Sequence, residues 1–243
     1  MFVTQETLQM LRKTYPAGTR VRLLKMDDIQ APPIGMLGIV NGVDDAGNIM
    51  IRWENGSGLN VVYGEDEIET IEEVYLIDVD GTLKAWNEEA GPDLWGKPDY
   101  IRTCDDLPNM VEAIKMLIKI VQMPNSKKAL RFFSASLSDA ASAYKKEELV
   151  KMFEGVTLTD DMFIFTPYGR SKTEFYEPKG TTILTDYSPE AIEWVNAGGK
   201  AIKVRNNCNS KHGKWRGNSI HYEQTPESIL QLILALSSFK EVA

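Results

Sequence analysis

Residues 74–238 alternate between short apolar runs and amphipathic segments, and this alternation restricts the fold more than any other feature of the sequence. Residues 74–78 are apolar up to a final acid, which is typical of a strand buried on both faces of a parallel sheet. Residues 108–121 repeat apolar side chains at helical spacing. The alternation continues to a last helix beginning near Thr225 and predicts an α/β fold, a doubly wound parallel sheet with helices on both faces.

Residues 1–73 follow a different pattern. A short helical segment at residues 6–13 precedes brief strand-like segments separated by glycine, proline, aspartate and asparagine, at residues 20–24, 38–43, 48–53 and 59–63. Short strands joined by such turns are typical of small curled barrels, so we predict an N-terminal SH3-like β-barrel.

Charge separates the same two segments. Residues 1–73 carry 6 Lys/Arg against 12 Asp/Glu, and the whole chain has a formal charge of −8. We therefore predict two domains, residues 1–73 and 74–243. The acidic balance makes duplex nucleic acid an unfavourable partner, because binding a duplex needs a basic surface. Small anionic substrates stay compatible with this charge if a metal ion or local donors neutralise them.

Nothing in the sequence indicates export or a membrane. The first residues carry charge and contain no long apolar run, and the apolar stretch at residues 229–236 is too short to span a bilayer. Cys104 and Cys208 are not spaced like a metal or redox motif, so we expect two reduced thiols and a cytoplasmic protein.

The motif directly after the first apolar run carries the strongest functional signal. It places two acids two residues apart and reads Asp78-Val79-Asp80-Gly81-Thr82-Leu83. Ligands of open α/β sheets bind at the carboxyl ends of the strands, where these acids are expected. Gly81 lets the backbone leave the strand sharply. Two acids in one crevice repel each other, and oxygen ligands favour Mg²⁺ as the neutralising cation.

This motif resembles the first motif of the haloacid dehalogenase superfamily. The resemblance implies that Asp78 is a nucleophile that forms an aspartyl-phosphate and that Asp80 is the general acid and base. An acid at position 80 is the phosphatase pattern, whereas ion-pumping ATPases of the superfamily carry threonine there. The implied fold has a minimal cap, since only residues 84–106 are available to build one.

The second and third motifs of that superfamily have candidates in this sequence. Ser134, at the end of the strand-like residues 129–133, would hold a phosphoryl oxygen, and Lys172 would neutralise the nucleophile and the phosphoryl group. Arg170 and Lys179 are weaker alternatives to Lys172. The substrate-binding residues implied by the resemblance are Thr82, Ser134, Ala135 and Lys172.

The fourth motif departs from the superfamily pattern, because Thr185 stands where the first acid of an acidic pair is expected. Asp186 keeps the second acid, and Glu190 follows four residues later. The implied metal ligands are Asp78, Asp80 and Asp186. Glu190 would assist through a water or Lys172; the alternative is an ordinary acid at a helix start.

Residues 74–238 are most similar to the 5'(3')-deoxyribonucleotidase branch. The similarity includes residues 95–102, 108–114, 163–172 and 187–206, and it continues through Asn209 and residues 211–215. It implies a nucleoside monophosphate as the substrate. Four aromatic side chains could stack a base, although each could equally be a packing residue: Trp86, Trp95, Tyr100 and Tyr168.

Residues 1–73 resemble a small bacterial and phage domain of unknown function, through Gly18-Thr19-Arg20-Val21 and Trp53-x-Asn55-Gly56-Ser57. This makes the barrel a candidate protein-interaction module, and a homo-oligomer is compatible with the sequence. Two alternatives to nucleotide hydrolysis stay open. One is a phosphatase for a sugar phosphate, an oligonucleotide end or a nucleotide signal. The other is a weakened domain that binds nucleotides as an interaction protein.

Overall fold

The structure is a computed structural model that describes residues 3–209 and 214–238. The chain divides into two compact units, Met1–Glu72 and Glu73–Ala243. This division lies one residue before the one predicted, because Glu73 is the first residue of a strand in the second unit. Residues 211–213, which belong to the sequence similarity noted above, lie outside the described residues.

The first unit contains one helix and a four-stranded antiparallel sheet. Thr4 caps the helix by accepting a hydrogen bond from the Thr7 backbone N–H at 3.1 Å. The strands lie in the order β3-β2-β1-β4 around an apolar core that includes Val21, Ile51 and Trp53. The elements are α1 (Gln5–Thr14), β1 (Arg20–Lys25), β2 (Leu37–Val43), β3 (Ile49–Trp53) and β4 (Glu67–Thr70).

Two segments of this unit differ from the prediction. Residues 59–63 form only isolated bridges, one of which joins Val61 to Ile49. The acidic residues 67–70, predicted as a junction, instead form β4 on the outer side of β1, where Arg22 pairs with Glu69 at 2.9 Å. Among the described residues the strand order does not pair β3 with β4, so closure into a barrel stays a prediction.

The turn between β2 and β3 is organised by one carboxylate. Oδ1 of Asp44 accepts hydrogen bonds from the backbone N–H groups of Ala46 and Asn48, each at 2.9 Å, and Oδ2 accepts one from the Asn48 side chain at 2.9 Å. An aspartate that accepts from the following residues in this way is a common turn-former. Gly47 completes the turn with φ +88°, a conformation that favours glycine.

The second unit is an α/β structure with a six-stranded parallel sheet, as predicted. The strand order is β10-β9-β8-β5-β6-β7, which leaves β5 inside the sheet between β6 and β8. The strands are β5 (Glu73–Ile77), β6 (Lys128–Ser136), β7 (Phe163–Pro167), β8 (Thr181–Thr185), β9 (Lys200–Arg205) and β10 (Ser219–His221). The helices are α2 (Pro92–Trp95), α3 (Pro108–Val121), α4 (Asp139–Met152), α5 (Ser188–Asn196) and α6 (Pro226–Ser237).

Helices cover both faces of this sheet. Phe132 belongs to the main core, which includes buried residues of α3 and α6. The next residue along β6, Phe133, points to the other face and packs against Trp194 of α5, with ring centroids 6.0 Å apart. All five residues of β5 are buried, as expected for a strand covered on both sides.

The segment between β5 and α3 is short. It contains only the four-residue helix α2 and a 3₁₀ helix at Tyr100–Thr103. The prediction of a minimal cap agrees with this arrangement. In the described part of the chain, no helix has the length and apolar character needed to cross a bilayer.

Candidate active site

The functional residues predicted from the sequence lie after or within the central strands of the parallel sheet. Asp78 directly follows β5, Ser134 lies near the end of β6 and Asp186 directly follows β8. Because β6, β5 and β8 are parallel neighbours, their carboxyl ends meet at one edge of the sheet. This edge is where open α/β sheets bind ligands.

Asp78 and Lys172 form a buried ion pair. Oδ1 of Asp78 lies 3.0 Å from Nζ of Lys172 and also accepts a hydrogen bond from the Val79 backbone N–H at 2.9 Å. Nζ of Lys172 also lies 3.1 Å from Oε1 of Glu190, so the lysine bridges two carboxylates. Its side chain is 3% exposed. A buried cation of this kind needs such partners to offset the cost of desolvation.

The loop after β7 positions Lys172. Ser171 begins the 3₁₀ helix Lys172–Glu174; its hydroxyl accepts from the Thr173 backbone N–H at 3.2 Å, and its own N–H donates to Glu174 at 3.2 Å. This reciprocal capping fixes the first turn. Arg170 donates to Glu174 instead of reaching the site, and Lys179 is exposed. Of the three basic candidates, the structure therefore places Lys172 beside Asp78.

Burial and neighbouring charges shift the pKa values of Lys172 and Glu190. Burial opposes the charged form of Lys172, but Asp78 and Glu190 outweigh it and raise the pKa of the ammonium. Burial raises the pKa of Glu190 to about 7 against the lowering effect of Lys172, and the charge of Asp78 adds to the rise. A hydrogen bond from Thr185 lowers the Glu190 pKa. Thr185, which replaces the first acid of the fourth motif, thus stabilises the charged form of Glu190.

Asp186 is held by three donors, one from the loop after β5 and two from the stretch after β9. Its Oδ2 accepts hydrogen bonds from Nε1 of Trp86 at 2.8 Å, Nδ2 of Asn206 at 2.9 Å and Nδ2 of Asn209 at 3.3 Å. Burial, and after it the negative charge of Asp78, raise the pKa of Asp186 to about 6 against the lowering effect of these hydrogen bonds. Asp78 and Asp186 are therefore near enough to repel each other.

Gly81 allows the loop after β5 to approach Asp186. Its φ is +70°, and a Cβ at this position would lie 2.1 Å from Oδ2 of Asp186 and 2.5 Å from Nε1 of Trp86. The Gly81 carbonyl accepts a hydrogen bond from Asn206 at 2.7 Å. Both the conformation and the space therefore require glycine.

Asp80 lies on the other side of β5, toward β6. Its Oδ2 accepts a hydrogen bond from the Ser134 hydroxyl at 3.1 Å and forms an ion pair with Nζ of Lys145. Within the described residues, no group of three or more His, Cys, Asp or Glu side chains is arranged to hold a metal ion. The Asp80 carboxylate faces Lys145 and Ser134, and a metal site formed by Asp78, Asp80 and Asp186 stays a prediction.

Asp78 and Asp186 still fit a magnesium ion. Mg²⁺ in proteins commonly takes one or two carboxylates and completes its shell with waters and substrate phosphates. The negative charge of Asp78 raises the pKa of the buried Asp186, and a divalent cation between the two acids would relieve this repulsion. They are the residues that would hold the ion.

The two remaining substrate-binding candidates have different environments. The Thr82 side chain is 0% exposed, and its hydroxyl has no hydrogen-bond partner among the described residues. A substrate contact by Thr82 stays a prediction. The carbonyl of Ala135 accepts a hydrogen bond from Nζ of Lys145 at 2.5 Å. A substrate contact by Ala135 stays a prediction.

The four aromatic candidates separate by exposure. Trp86 donates to Asp186 and so has a structural role, and Tyr100 is buried in a small cluster of the cap. Trp95 is 51% exposed and Tyr168 is 73% exposed. Tyr168 directly follows β7, at the same edge of the sheet as Asp78.

Sequence reasoning did not assign site roles to Lys145, Asn206 or Asn209. Asn206 and Asn209 follow the apolar strand β9, and polar residues at the end of such a strand are a signal that could have identified them. Lys145 shares the buried face of α4 with Ala141 and Leu149, four residues before and after it. A lysine at that spacing is the signal that was available.

A protein-family model matches the first part of the chain. Residues 4–71 match a family described as a domain of unknown function, DUF4314. This confirms the predicted N-terminal domain of unknown function. No curated protein matches the chain.

Two solved structures are similar to the chain at low identity. A D,D-heptose 1,7-bisphosphate phosphatase from B. bronchiseptica, complexed with magnesium and phosphate, is 13% identical with a TM-score of 0.47, covering 67% of this chain and 98% of its own. The same phosphatase from Burkholderia thailandensis is 13% identical with a TM-score of 0.43, covering 67% and 99%. Both similarities are weak, and the assignment of a reaction depends on the residues of this chain.

Proposed function

We propose that this protein is a magnesium-dependent phosphomonoester hydrolase of the haloacid dehalogenase type. The observation that carries the proposal is the position of Asp78 at the end of β5, with Oδ1 3.0 Å from the buried ammonium of Lys172. A carboxylate can approach an anionic phosphate ester only if nearby positive charge neutralises the repulsion. Lys172 supplies that charge.

The proposed reaction has two displacements at phosphorus. A carboxylate oxygen of Asp78 attacks phosphorus, the bond from phosphorus to the ester oxygen breaks, and protonated Asp80 gives its proton to the departing alkoxide. Asp80 then removes a proton from water as the water oxygen attacks the aspartyl-phosphate. The bond between phosphorus and the Asp78 oxygen breaks, which releases inorganic phosphate and regenerates the Asp78 carboxylate and the acid form of Asp80.

The other side chains orient the phosphoryl group and neutralise its charge. Ser134 donates its hydroxyl hydrogen to Asp80 in the absence of substrate and would turn it to a phosphoryl oxygen when substrate binds, and Lys172 stabilises the negative charge of the phosphoryl group. Asp78 and Asp186 would bind Mg²⁺, which when bound supplies further positive charge to the phosphoryl oxygens. Glu190 also holds Lys172, at 3.1 Å.

A nucleoside monophosphate is the substrate that we propose. The support is the sequence similarity to the 5'(3')-deoxyribonucleotidase branch, together with the short segment between β5 and α3, which offers little chain to cover the site. Tyr168, 73% exposed, directly follows β7, and Tyr187, 60% exposed, lies two residues after the end of β8, both at the edge that holds Asp78. An exposed aromatic ring beside an open crevice can stack on a base.

An assay with p-nitrophenyl phosphate, with and without Mg²⁺, tests the reaction. We expect hydrolysis that needs Mg²⁺, is abolished by EDTA and falls by roughly 10³-fold or more in Asp78→Asn. The matched control is Asp105→Asn, which changes an exposed acid outside the site and should keep wild-type activity. Full activity in Asp78→Asn would contradict the proposal.

A second assay tests the substrate. Nucleoside 5'- and 3'-monophosphates are compared with sugar phosphates at equal concentration, and kcat/KM is measured for each. We expect the nucleotides to have the higher values. A preference for sugar phosphates would keep the chemistry and replace the substrate, whereas nucleotide binding without hydrolysis would favour an interaction protein.

For the N-terminal unit we propose a role in binding another protein. Its acidic charge does not suit a phosphate backbone, and none of the predicted catalytic residues lies in residues 1–73.

A further inference from the structure

Lys145 is a buried lysine on a helix that carries none of the four sequence motifs. It is 8% exposed and lies on the inner face of α4, between Ala141 and Leu149. A lysine is rarely buried to this degree unless its charge and its donors are paired. Its environment therefore indicates what the residue does.

Three acceptors surround the Lys145 ammonium, and all of them belong to the candidate active site. Nζ contacts Oδ2 of Asp80, Oγ of Ser134 at 3.1 Å and the carbonyl oxygen of Ala135 at 2.5 Å. The Ser134 hydroxyl also donates to Oδ2 of Asp80 at 3.1 Å. An ammonium has three hydrogens to donate, so these contacts use its whole capacity.

The contacts place the Asp80 carboxylate on the β6 side of β5. Asp186 follows β8, which pairs with β5 on the opposite side. The acid proposed to transfer protons is thereby separated from the acids proposed to bind the cation. A carboxylate that coordinates a metal is a poor proton donor, so the separation has a chemical use.

We infer that Lys145 is a positioning residue that holds Asp80 against Ser134 and so keeps proton transfer apart from the cation site. The inference rests on the proposed function and adds a residue to it. Because Lys145 is buried with its donors engaged, it acts through Asp80 and not by touching the substrate.

The test compares how wild type and Lys145→Met respond to the leaving group. The measured quantity is kcat/KM, which reports the steps up to release of the alcohol, for p-nitrophenyl phosphate and for an alkyl phosphate. A poor alkoxide leaving group needs the proton from Asp80, whereas p-nitrophenolate leaves without it. We expect a loss of roughly 10²-fold on the alkyl phosphate and less than about tenfold on p-nitrophenyl phosphate.

Two further variants make the comparison specific. Lys151→Met removes an exposed lysine from the same helix and should keep wild-type kcat/KM on both substrates. In Asp80→Asn, adding Lys145→Met should cause no further loss, because the two residues act as one unit. An equal loss on both substrates, or an additive loss in the double variant, would overturn the inference and place Lys145 in direct contact with the phosphoryl group.

A crystal structure of Lys145→Met gives a readout that does not depend on activity. We expect the Asp80 carboxylate to leave Ser134, and an unmoved carboxylate would overturn the inference. Lys145→Leu, which likewise removes the hydrogen-bond donors, serves if Lys145→Met does not fold. An inactive wild type would contradict the proposed function, whereas an active wild type with an unmoved Asp80 would contradict this inference alone.

Discussion

At the scale of single residues, the site depends on a glycine as much as on its acids. Gly81 brings the loop after β5 within contact distance of Asp186 and Trp86, and no side chain fits between them. The acids supply the chemistry, but this close approach sets their relative positions.

Gly81→Ala should therefore damage both stability and activity. The positive φ should cost about 1–3 kcal/mol of unfolding free energy, and the displacement of Asp186 should lower kcat/KM by roughly 10²-fold. Thermal melts and steady-state kinetics measure the two effects. Gly91→Ala is the matched control, because a Cβ there meets nothing within 4 Å and the φ is −83°. Equal behaviour of the two variants would refute this account.

Replacing Glu190 distinguishes between its two possible roles, which are to hold Lys172 in the site and to be an ordinary acid at a helix start. Glu190→Gln removes one of the two carboxylates that hold Lys172, so we expect kcat to fall by about 10- to 100-fold, as for other outer-shell partners. Magnesium affinity, measured by calorimetry, should change little. Glu227→Gln changes an acid in the first turn of α6 and is the control. If both variants keep full kcat, Glu190 is only a favourable residue at a helix start.

The residues of the site were predictable where a sequence motif identified them. Asp78, Lys172 and Asp186 could be found from the order of the superfamily motifs that the sequence resembles, and Asp78 and Asp186 each directly follow a strand. The orientation of the Asp80 carboxylate could not, because it depends on Lys145, which comes from a helix with no motif. Likewise, the complete burial of Thr82 results from packing around the loop and not from the local sequence.

At the scale of elements, strand patterns were predictable where an apolar face is buried. The bounds of α3 match the prediction because its apolar spacing and Pro108 define them. The strand β4 was not predicted, because its acidic sequence resembles a linker and its pairing depends on Arg22 of β1. The three-residue strand β10 is too short for any periodicity to show.

The turn between β2 and β3 offers a test at this scale. Asp44→Ala removes three hydrogen bonds and should lower the unfolding free energy of the first unit by about 1 kcal/mol. Hydrogen bonds from Asn48 lower the pKa of Asp44 below its usual 3.8, so its stabilising effect is present at neutral pH and lost as the pH falls through that lowered value. Thermal melts at neutral and acid pH measure the effect.

The control for this turn is Asp27→Ala, which removes an exposed aspartate from the same unit. It should leave the melting temperature unchanged at both values of pH. A loss of stability in Asp44→Ala that persists unchanged in acid would mean that the carboxylate charge does not contribute.

At the scale of the whole molecule, each of the two units has its own core, and all of the candidate catalytic residues lie in the second. Residues 73–243 expressed alone should therefore keep the kcat/KM of the full chain within a factor of about three. Activity on p-nitrophenyl phosphate is the measurement. A loss of more than tenfold in a folded fragment would show that residues 1–72 contribute to catalysis.

The central position of β5 has a consequence for biosynthesis. β5 can pair with β6 soon after both emerge from the ribosome, but its other edge belongs to β8, which follows β6 by roughly 45 residues and takes about 2–9 s more to synthesise. During that interval β5, whose five residues are all buried in the folded protein, has one open edge. The nascent chain is thus most exposed to aggregation, and most in need of a chaperone, just before the residues that complete the crevice are translated.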